Sequence, residues 1–516
     1  MQLSSEMGKT YTSRNKRIAI NTLFLYIRSI VVMAVSIYTS RVVLHALGID
    51  DYGINNVVGG FVGMFAVLSS AMVHSSQRFI SYEMGKDNPQ LKKVFCVTLS
   101  IHFLLVIALI IVFETFGLWF LNNYLNISPD RMRAANWVFQ FSIVTFCLGI
   151  LNTPFNASII SHEKMSAFAY ISIFEAFAKL GIVYLLYVSS ADKLILYSFL
   201  LMMVSATLLC IYIIYCRKHF EECKYQFMYD KSLFKSLLSF SGWNFLGSTA
   251  GILVTQGVNI LTNIFFGVAL NAARGIVEQA NSAMNQFVSN FTTALNPQIT
   301  QSHAAKDYGR MNMLMMRGSK YSALLFWCMG VILFMQPDFV LDLWLVEVPP
   351  YAPTFLRLAI IYSCFQALSN PLYIGMLATG NIKKYQIVMS LLYVSSFIAC
   401  YILFSLGFGP EYGYITTISA IVFAVFVRSF LLQKMIPGFT VREYLKTVLF
   451  KFAPTFFISI IADMFIVHFL ELRPWIEFIC VLFVSLLSII ISSYFISFDQ
   501  RERQMVKSYI LKILNK

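Results

Sequence analysis

Residues 94–116 read VFCVTLSIHFLLVIALIIVFETF, a run whose only carboxylate is Glu114 and whose only imidazole is His102. About 20 largely apolar residues are enough for a helix to cross a bilayer, and only a helix satisfies its own backbone polar groups in lipid. Lys92 and Lys93 stand directly in front of the run. Working outward, similar runs lie near 18–40, 53–75, 134–156, 166–188 and 193–215. A second series follows near 236–266, 272–299, 319–341, 355–379, 385–407, 411–432, 447–470 and 475–497. The chain therefore reads as an all-α polytopic membrane protein of about 14 transmembrane helices. Composition agrees: of 516 residues, 58% are apolar and only 12% charged, and the mean hydropathy is +0.70. Soluble domains carry about twice that charge, which excludes a cytosolic enzyme, a disordered chain and a disulfide scaffold.

Lysine and arginine orient these spans, because cytoplasmic loops hold the excess of positive charge. The N-terminus, the loops at 76–93, 157–165, 216–235, 301–320, 380–384 and 433–446, and the C-terminal tail together carry 28 of the 39 basic residues. The opposite loops carry seven. Both termini are thus expected in the cytoplasm, a parity that fourteen spans satisfy. Most of the +14 net charge records topology and gives no reason to expect nucleic acid. No loop reaches 30 residues, so a catalytic soluble domain has nowhere to sit, and no Walker loop is present; the expectation is not an enzyme.

Other signals are weak. Seven of the nine cysteines fall inside apolar runs, and Cys216 and Cys223 flank a basic loop at a spacing that fits no zinc or haem site. No metal and no cofactor is expected. The first 17 residues are polar and no cleavage pattern follows, so no signal peptide is read. The tripeptides at Asn126 and Asn156 fit a glycosylation sequon that is common by chance.

The chain contains an internal repeat. SSQRFISYEMGKDNPQLKKVF (75–95) corresponds to ALNPQITQSHAAKDYGRMNML (294–314), with Lys86-Asp87 and Lys306-Asp307 aligned at an offset of 220. LGIDDYGINNVVGG (47–60) likewise corresponds to FGVALNAARGIVEQAN (266–281), and Asn21 to Asn244. Six helices per repeat give two parallel repeats, expected as two lobes around a central cavity, with two extra C-terminal helices. The expected boundaries are an N-terminal lobe at 1–215, a basic cytoplasmic linker at 216–235, a C-terminal lobe at 236–432, the extra helices at 433–497 and a tail at 498–516. The tail, RERQMVKSYILKILNK, reads as a basic amphipathic helix on the anionic leaflet or as a frayed end.

Three features together, Asn21 with Arg28, then ALGIDDYG (46–53), then RFISYEMGKDNPQLKK (78–93), resemble the Wzx-type polysaccharide flippases. These belong to the multidrug/oligosaccharidyl-lipid/polysaccharide exporter superfamily. The resemblance implies a flippase for isoprenoid-pyrophosphate-linked oligosaccharide repeat units, serving O-antigen, lipopolysaccharide or capsule biosynthesis. It also implies a bacterial inner membrane, lipid-linked oligosaccharide and membrane lipids as ligands, and a neighbouring polymerase and chain-length machinery as partners. Peptidoglycan-precursor flippases and cation-coupled multidrug exporters share this architecture. A membrane-embedded polymerase or glycosyltransferase is the alternative of another class, and a non-transporting scaffold is a third.

An ionisable residue at mid-bilayer is costly and needs an explanation. Arg28 lies near the middle of the first span, either paired with a helix acid or facing a phosphate, which a guanidinium binds bidentately. In the eighth span Arg274, Glu278, Asn281 and Asn285 follow at spacings of 4, 3 and 4, hence on one helical face. Gln279, Gln286 and Asn290 lie close by, and Asn136, Gln140, Asn244, Gln256, Asn259 and Asn263 extend the polar set. Such amides suit a sugar chain, which needs neutral donors and acceptors; inter-lobe glue is the bland alternative. Glu175 and Lys179 sit one turn apart, as a structural pair or as a site coupled to H+ or Na+. Arg428 and Lys451, close to cytoplasmic helix ends, are expected to snorkel, and Asp463 and His468 receive no role.

Overall fold

A computed structural model describes residues 2–63, 65–124, 127–345, 348–469, 473–500, 502–504 and 507. Among them all regular structure is helical. The helices are α1 (Gln2–Leu47), α2 (Ile49–Gly63), α3 (Ala66–Met84), α4 (Leu91–Val112), α5 (Leu118–Tyr124), α6 (Met132–Ser161), α7 (Met165–Val188), α8 (Lys193–His219) and α9 (Lys231–Phe266). They continue as α10 (Val268–Ala304), α11 (Tyr308–Met335), α12 (Pro337–Trp344), α13 (Ala352–Thr379), α14 (Lys383–Ser405), α15 (Tyr412–Met435), α16 (Val441–Tyr444), α17 (Phe450–Phe469) and α18 (Pro474–Ser492). The Asn126 sequon and most of the tail, including Met505, Val506, Tyr509, Ile510, Leu511 and Ile513, lie outside the described residues.

Each of the fourteen expected spans lies in helical sequence, although the second straddles α2 and α3 and the ninth runs from α11 into α12. Eleven stretches among the described residues are both long and apolar enough to cross a membrane. The other three spans lie on α1, whose described apolar part is Ile20–Ser36, on α10 and on α13. The polar stripe that marked residues 272–299 in the sequence is what takes α10 below the apolar threshold. The second span, expected at 53–75, corresponds to a long apolar stretch at Val58–Met84. Gly59, Gly60 and Gly63 give the start of this region weak helix propensity. The protein is a multi-pass membrane protein, and residues such as Leu391, Ile461 and Phe483, 66%, 65% and 74% exposed, form its apolar outer surface.

The helices form two compact units: residues 1–248 with 300–306, and residues 249–299 with 307–516. The boundary runs through α9 and through α10, so each of these helices contributes to both units. In unit 1, α6 packs on α8 and α1 on α7, while α2, α3 and α4 gather on α6. Its core joins Val58 and Val62 of α2 to Phe113, Leu121, Val138 and Phe139. In unit 2, α13 lies between α11 and α15, α14 packs on α15, and α17 and α18 pair with one another and with α11. Lipid is as apolar as leucine, so packing and interhelical hydrogen bonds hold these helices together. Trp327, fully buried on α11, shows this by donating to Ser459 Oγ of α17 at 2.8 Å.

The repeat has a backbone counterpart. α1 turns into α2 at Gly48, φ +81°, and α9 turns into α10 at Gly267, φ +85°. This left-handed conformation is natural for glycine, and the two turns fall at equivalent places in the aligned segments.

Candidate functional site

In unit 1 the polar elements converge on Arg28. α1 places this guanidinium over the Phe168 ring of α7, 4.6 Å from its centroid. Glu175 of α7 and Tyr212 of α8 are its electrostatic neighbours. Arg28 is half-buried, and no acid among the described residues pairs with it within 4.0 Å; its buried Nε has no hydrogen-bond partner among them. Glu175 is instead bound by Lys179 at 2.7 Å, the pair its spacing of four predicts, and both side chains are substantially exposed at 38% and 45%. The group carries a net positive charge, with one arginine whose donors are not spent. Asn21, about two turns before Arg28, is buried with its Nδ2 unpartnered among the described residues. Asn244 of α9 is fully buried, its Nδ2 3.5 Å from the carbonyl of Ala71.

Unit 2 builds its polar face from α9, α10, α13 and α15. Arg274 donates through Nε to Asn259 Oδ1 at 2.7 Å, and Asn259 in turn lies 3.4 Å from Gln256 Oε1. The Arg274 guanidinium stacks on Tyr414, 4.5 Å from the ring centroid. Glu278, one turn further along α10, is exposed and makes no ion pair with Arg274 within 4.0 Å. The next two members of the predicted face do something different. Asn281 accepts from Ser363 Oγ of α13 at 2.8 Å, and Asn285 donates to both, at 3.2 Å each. That network fastens α10 to α13 within the unit, so the helical face divides into a part at Arg274 that packs on Asn259 and Tyr414, an exposed Glu278, and a part at Asn281–Asn285 tied to α13. Gln286 and Asn290 continue it, 3.4 Å apart. In unit 1, Asn136 exchanges amide hydrogen bonds with Asn122, and Gln140 donates to Glu114.

Two expectations are corrected. Arg428 does not snorkel: it is 7% exposed, donating to Tyr385 Oη at 3.0 Å and to Ser369 Oγ at 2.5 Å, with Tyr373 facing it at 5.4 Å. α14 and α13 cover it, which a count of residues to the helix end does not reveal. Lys451 pairs with Asp499 rather than reaching into the interface. Asp499 belongs to a larger cluster on the chain leaving α18. Lys320 of α11, 3% exposed, donates to Glu502 Oε2 and to the carbonyl of Ser497, both at 2.8 Å. Burial alone would raise the Asp499 carboxyl, but the Lys451 hydrogen bond and the nearby charges of Lys320 and Arg317 hold it below the ordinary carboxylate range.

A third cluster, missed in the sequence, joins the extramembrane ends of unit 1. Arg131 donates to Asp51 Oδ1 at 2.9 Å and Oδ2 at 2.5 Å, and to Asp192 Oδ2 at 2.6 Å. Asp192 also caps α8 by accepting from the amides of Leu194 and Ile195. Burial pushes its carboxyl up, yet the Arg131 hydrogen bond and the two amides outweigh this and leave it below the usual range. Asp51 is part of the ALGIDDYG segment, so the triad fixes the turn between α1 and α2. Among the described residues no group of histidine, cysteine and acidic side chains is arranged to hold a metal ion.

No protein-family model and no curated protein matches the chain. Solved structures do. A MATE crystallised in complex with MaD3S is similar over 82% of this chain and 97% of its own, with a TM-score of 0.69 and 11% identity. A multidrug resistance MATE family transporter of the MOP superfamily, in an outward-facing conformation, is similar over 80% and 94%, with a TM-score of 0.65 and 11% identity. A MOP superfamily transporter from Pyrococcus furiosus, described as having a binding pocket of reversed polarity that suggests a different function, matches over 80% and 95%, with a TM-score of 0.65 and 10% identity. The class is thereby defined at the level of fold: this chain has the two-lobed helical fold of the MATE transporters.

Proposed function

We propose that the protein is a transporter that moves isoprenoid-pyrophosphate-linked oligosaccharide from the cytoplasmic to the periplasmic leaflet by alternating access. The observation that carries this reading is Arg28: a half-buried membrane guanidinium with unspent donors, stacked on Phe168 and paired with no acid among the described residues. Phosphate is the complementary ligand, since it offers several anionic oxygens in the geometry of the guanidinium fork. Within unit 2, Gln256, Asn259 and the exposed amides of α10 are neutral donors and acceptors of the kind a sugar chain needs. The isoprenoid tail stays in lipid. With a potential negative inside, each negative charge carried outward gains about 2.3 kcal/mol per 100 mV, so the cargo itself favours export. Glu175 is the residue we assign to ion coupling, through H+ or Na+. The setting that fits is a bacterial inner membrane with both termini in the cytoplasm, beside a polymerase for O-antigen or capsule.

Arg28→Ala tests the reading: export of surface polysaccharide is lost while the protein remains in the membrane at wild-type abundance. Normal export by that variant overturns it. A cation-coupled drug exporter is the second reading, favoured by the exposed and unpaired Glu278, since acids suit cationic drugs. Efflux by a sensitised host expressing the protein decides between them.

A further inference from the structure

Asp463 of α17 is a fully buried acid, and no cation among the described residues pairs with it within 4.0 Å. It lies inside the apolar stretch Val441–His468, on the helix face that also carries Thr455 and Ser459 at successive spacings of four. All three are 0% exposed, while Ile461, Met464 and Phe465 on other faces of the helix are 65%, 57% and 59% exposed. The one polar partner of Asp463 is Ser485 of α18, whose Oγ donates to Oδ2 at 2.6 Å. The buried Oδ1 has no partner among the described residues. The other hydroxyls of the face are engaged: Ser459 accepts from Trp327 of α11 at 2.8 Å, and Thr455 Oγ1 lies 2.9 Å from Ser497 Oγ. The titratable groups of the elements packed around Asp463 stand elsewhere. Lys446 and Lys451 lie toward the other end of α17, Lys451 twelve residues or about 18 Å away and paired with Asp499; His468 is at the near end. On α18, Glu477 accepts from Gln336, eight residues before Ser485, with Cys480 between them, and Tyr494 follows the helix. On α11, Arg317, Lys320 and Tyr321 gather on Glu502, and Cys328 follows Trp327.

A carboxylate enclosed in apolar surroundings with a single hydroxyl to stabilise it is costly, whereas the neutral acid needs no cation. A hydrogen bond between two helices needs only a hydroxyl or an amide; a carboxyl adds a removable proton. Nothing larger than that proton fits so enclosed a position. We infer that Asp463 is a proton-binding latch between α17 and α18. With the proton on, the two helices close around a neutral group. With it off, the charge needs water, and the seam parts to admit it. On release the carboxyl O–H bond breaks, its electron pair stays on oxygen as the carboxylate, and the proton passes to water. Ser485 donates to the acid in both states and so holds α18 to it. The site lies wholly within unit 2 and does not depend on the cargo or on the assignment of Glu175.

The test is infrared spectroscopy of the full-length protein in lipid nanodiscs, stepped from acid to alkaline pH. A neutral-carboxyl C=O band worth one acid per chain should be present in the wild type, absent from Asp463→Asn, and lost as the pH rises. Ser485→Ala keeps the acid but removes the donor that steadies its charged form, so the band should persist to higher pH. This variant also identifies the band should Asp463→Asn fail to fold. Backbone deuterium exchange in α18, compared with Asp463→Asn at the same pH, should quicken only where the band has been lost. A band that Asp463→Asn leaves unchanged overturns the inference, as does an Asp463 band constant at every pH, which makes the acid a fixed structural donor. A loss of the band at the same pH in Ser485→Ala also overturns it. So does exchange in α18 that matches Asp463→Asn at every pH, because the proton then holds nothing closed.

Discussion

Replacing Glu502 by glutamine should destabilise the protein far more than its place near the end of the chain implies. The carboxylate, 2% exposed, accepts from Lys320 Nζ at 2.8 Å, Tyr321 Oη at 2.6 Å and the Asp499 amide at 2.7 Å, and is ion-paired with Arg317 Nε at 3.1 Å. Glutamine keeps the shape and some of the hydrogen bonds but removes the charge that neutralises Lys320, itself 3% exposed. Breaking one side of a buried pair costs about 3–5 kcal/mol. Lys320 keeps the Ser497 carbonyl and has Asp499 nearby, so the lower end, about 3 kcal/mol, is expected. Lys320→Met alone leaves Glu502 with Arg317 and Tyr321 and should cost about 2 kcal/mol. The double variant should cost less than the sum by about 2 kcal/mol, since both charges are then gone. Reversible unfolding by SDS titration in micelles reads this, followed by tryptophan fluorescence, to which the fully buried Trp327 two turns along α11 contributes. A Glu502→Gln cost under about 1 kcal/mol, or strict additivity of the two substitutions, refutes the reasoning.

Three other outcomes are expected. Gly85→Ala should lower the melting temperature, at a cost of about 1–3 kcal/mol, because a Cβ there meets Gln301 Cα at 2.9 Å and Ala304 Cβ at 2.7 Å on the end of α10; a variant as stable as wild type contradicts the close approach. Asp192, with its carboxyl held below the usual range, contributes stability that is complete above about pH 4 and lost as the pH falls through its lowered folded value. Arg131→Ala should therefore flatten the acid limb of a melting-temperature profile, and an unchanged acid limb counts against the triad. Arg428→Lys, which cannot reproduce the forked donation to Tyr385 and Ser369, should destabilise by about 1–3 kcal/mol in the same SDS titration, while an Arg428 that merely snorkelled would tolerate it.

Periodicity and charge revealed local features; contacts between distant segments stayed hidden. The apolar runs locate the helices because a membrane leaves a chain no other regular structure without closing a barrel. The polarity of α10 was visible for the same reason, as was the Glu175–Lys179 pair, which needs only one turn of helix. The spacing of Arg274, Glu278, Asn281 and Asn285 placed them correctly on one stripe, yet it could not say that Ser363, 82 positions after Asn281, would claim half of it. Arg428 was misread because its cover comes from Tyr385 and Ser369 on other helices. Lys320 and Glu502 are 182 positions apart, and a tail of mixed charge gives no hint of which acid turns inward. Arg131 did leave a trace: it is one of the few cations on the side where the positive-inside rule expects none.

The central claim is that the protein carries lipid-linked oligosaccharide across the bilayer. It is tested most directly by the leaflet distribution of that lipid in a strain lacking the protein, probed with an impermeant sugar-modifying reagent on intact and opened cells. The account predicts accumulation on the cytoplasmic leaflet, reversed by the wild-type gene and not by Arg28→Ala. A distribution that deletion leaves unchanged would contradict it.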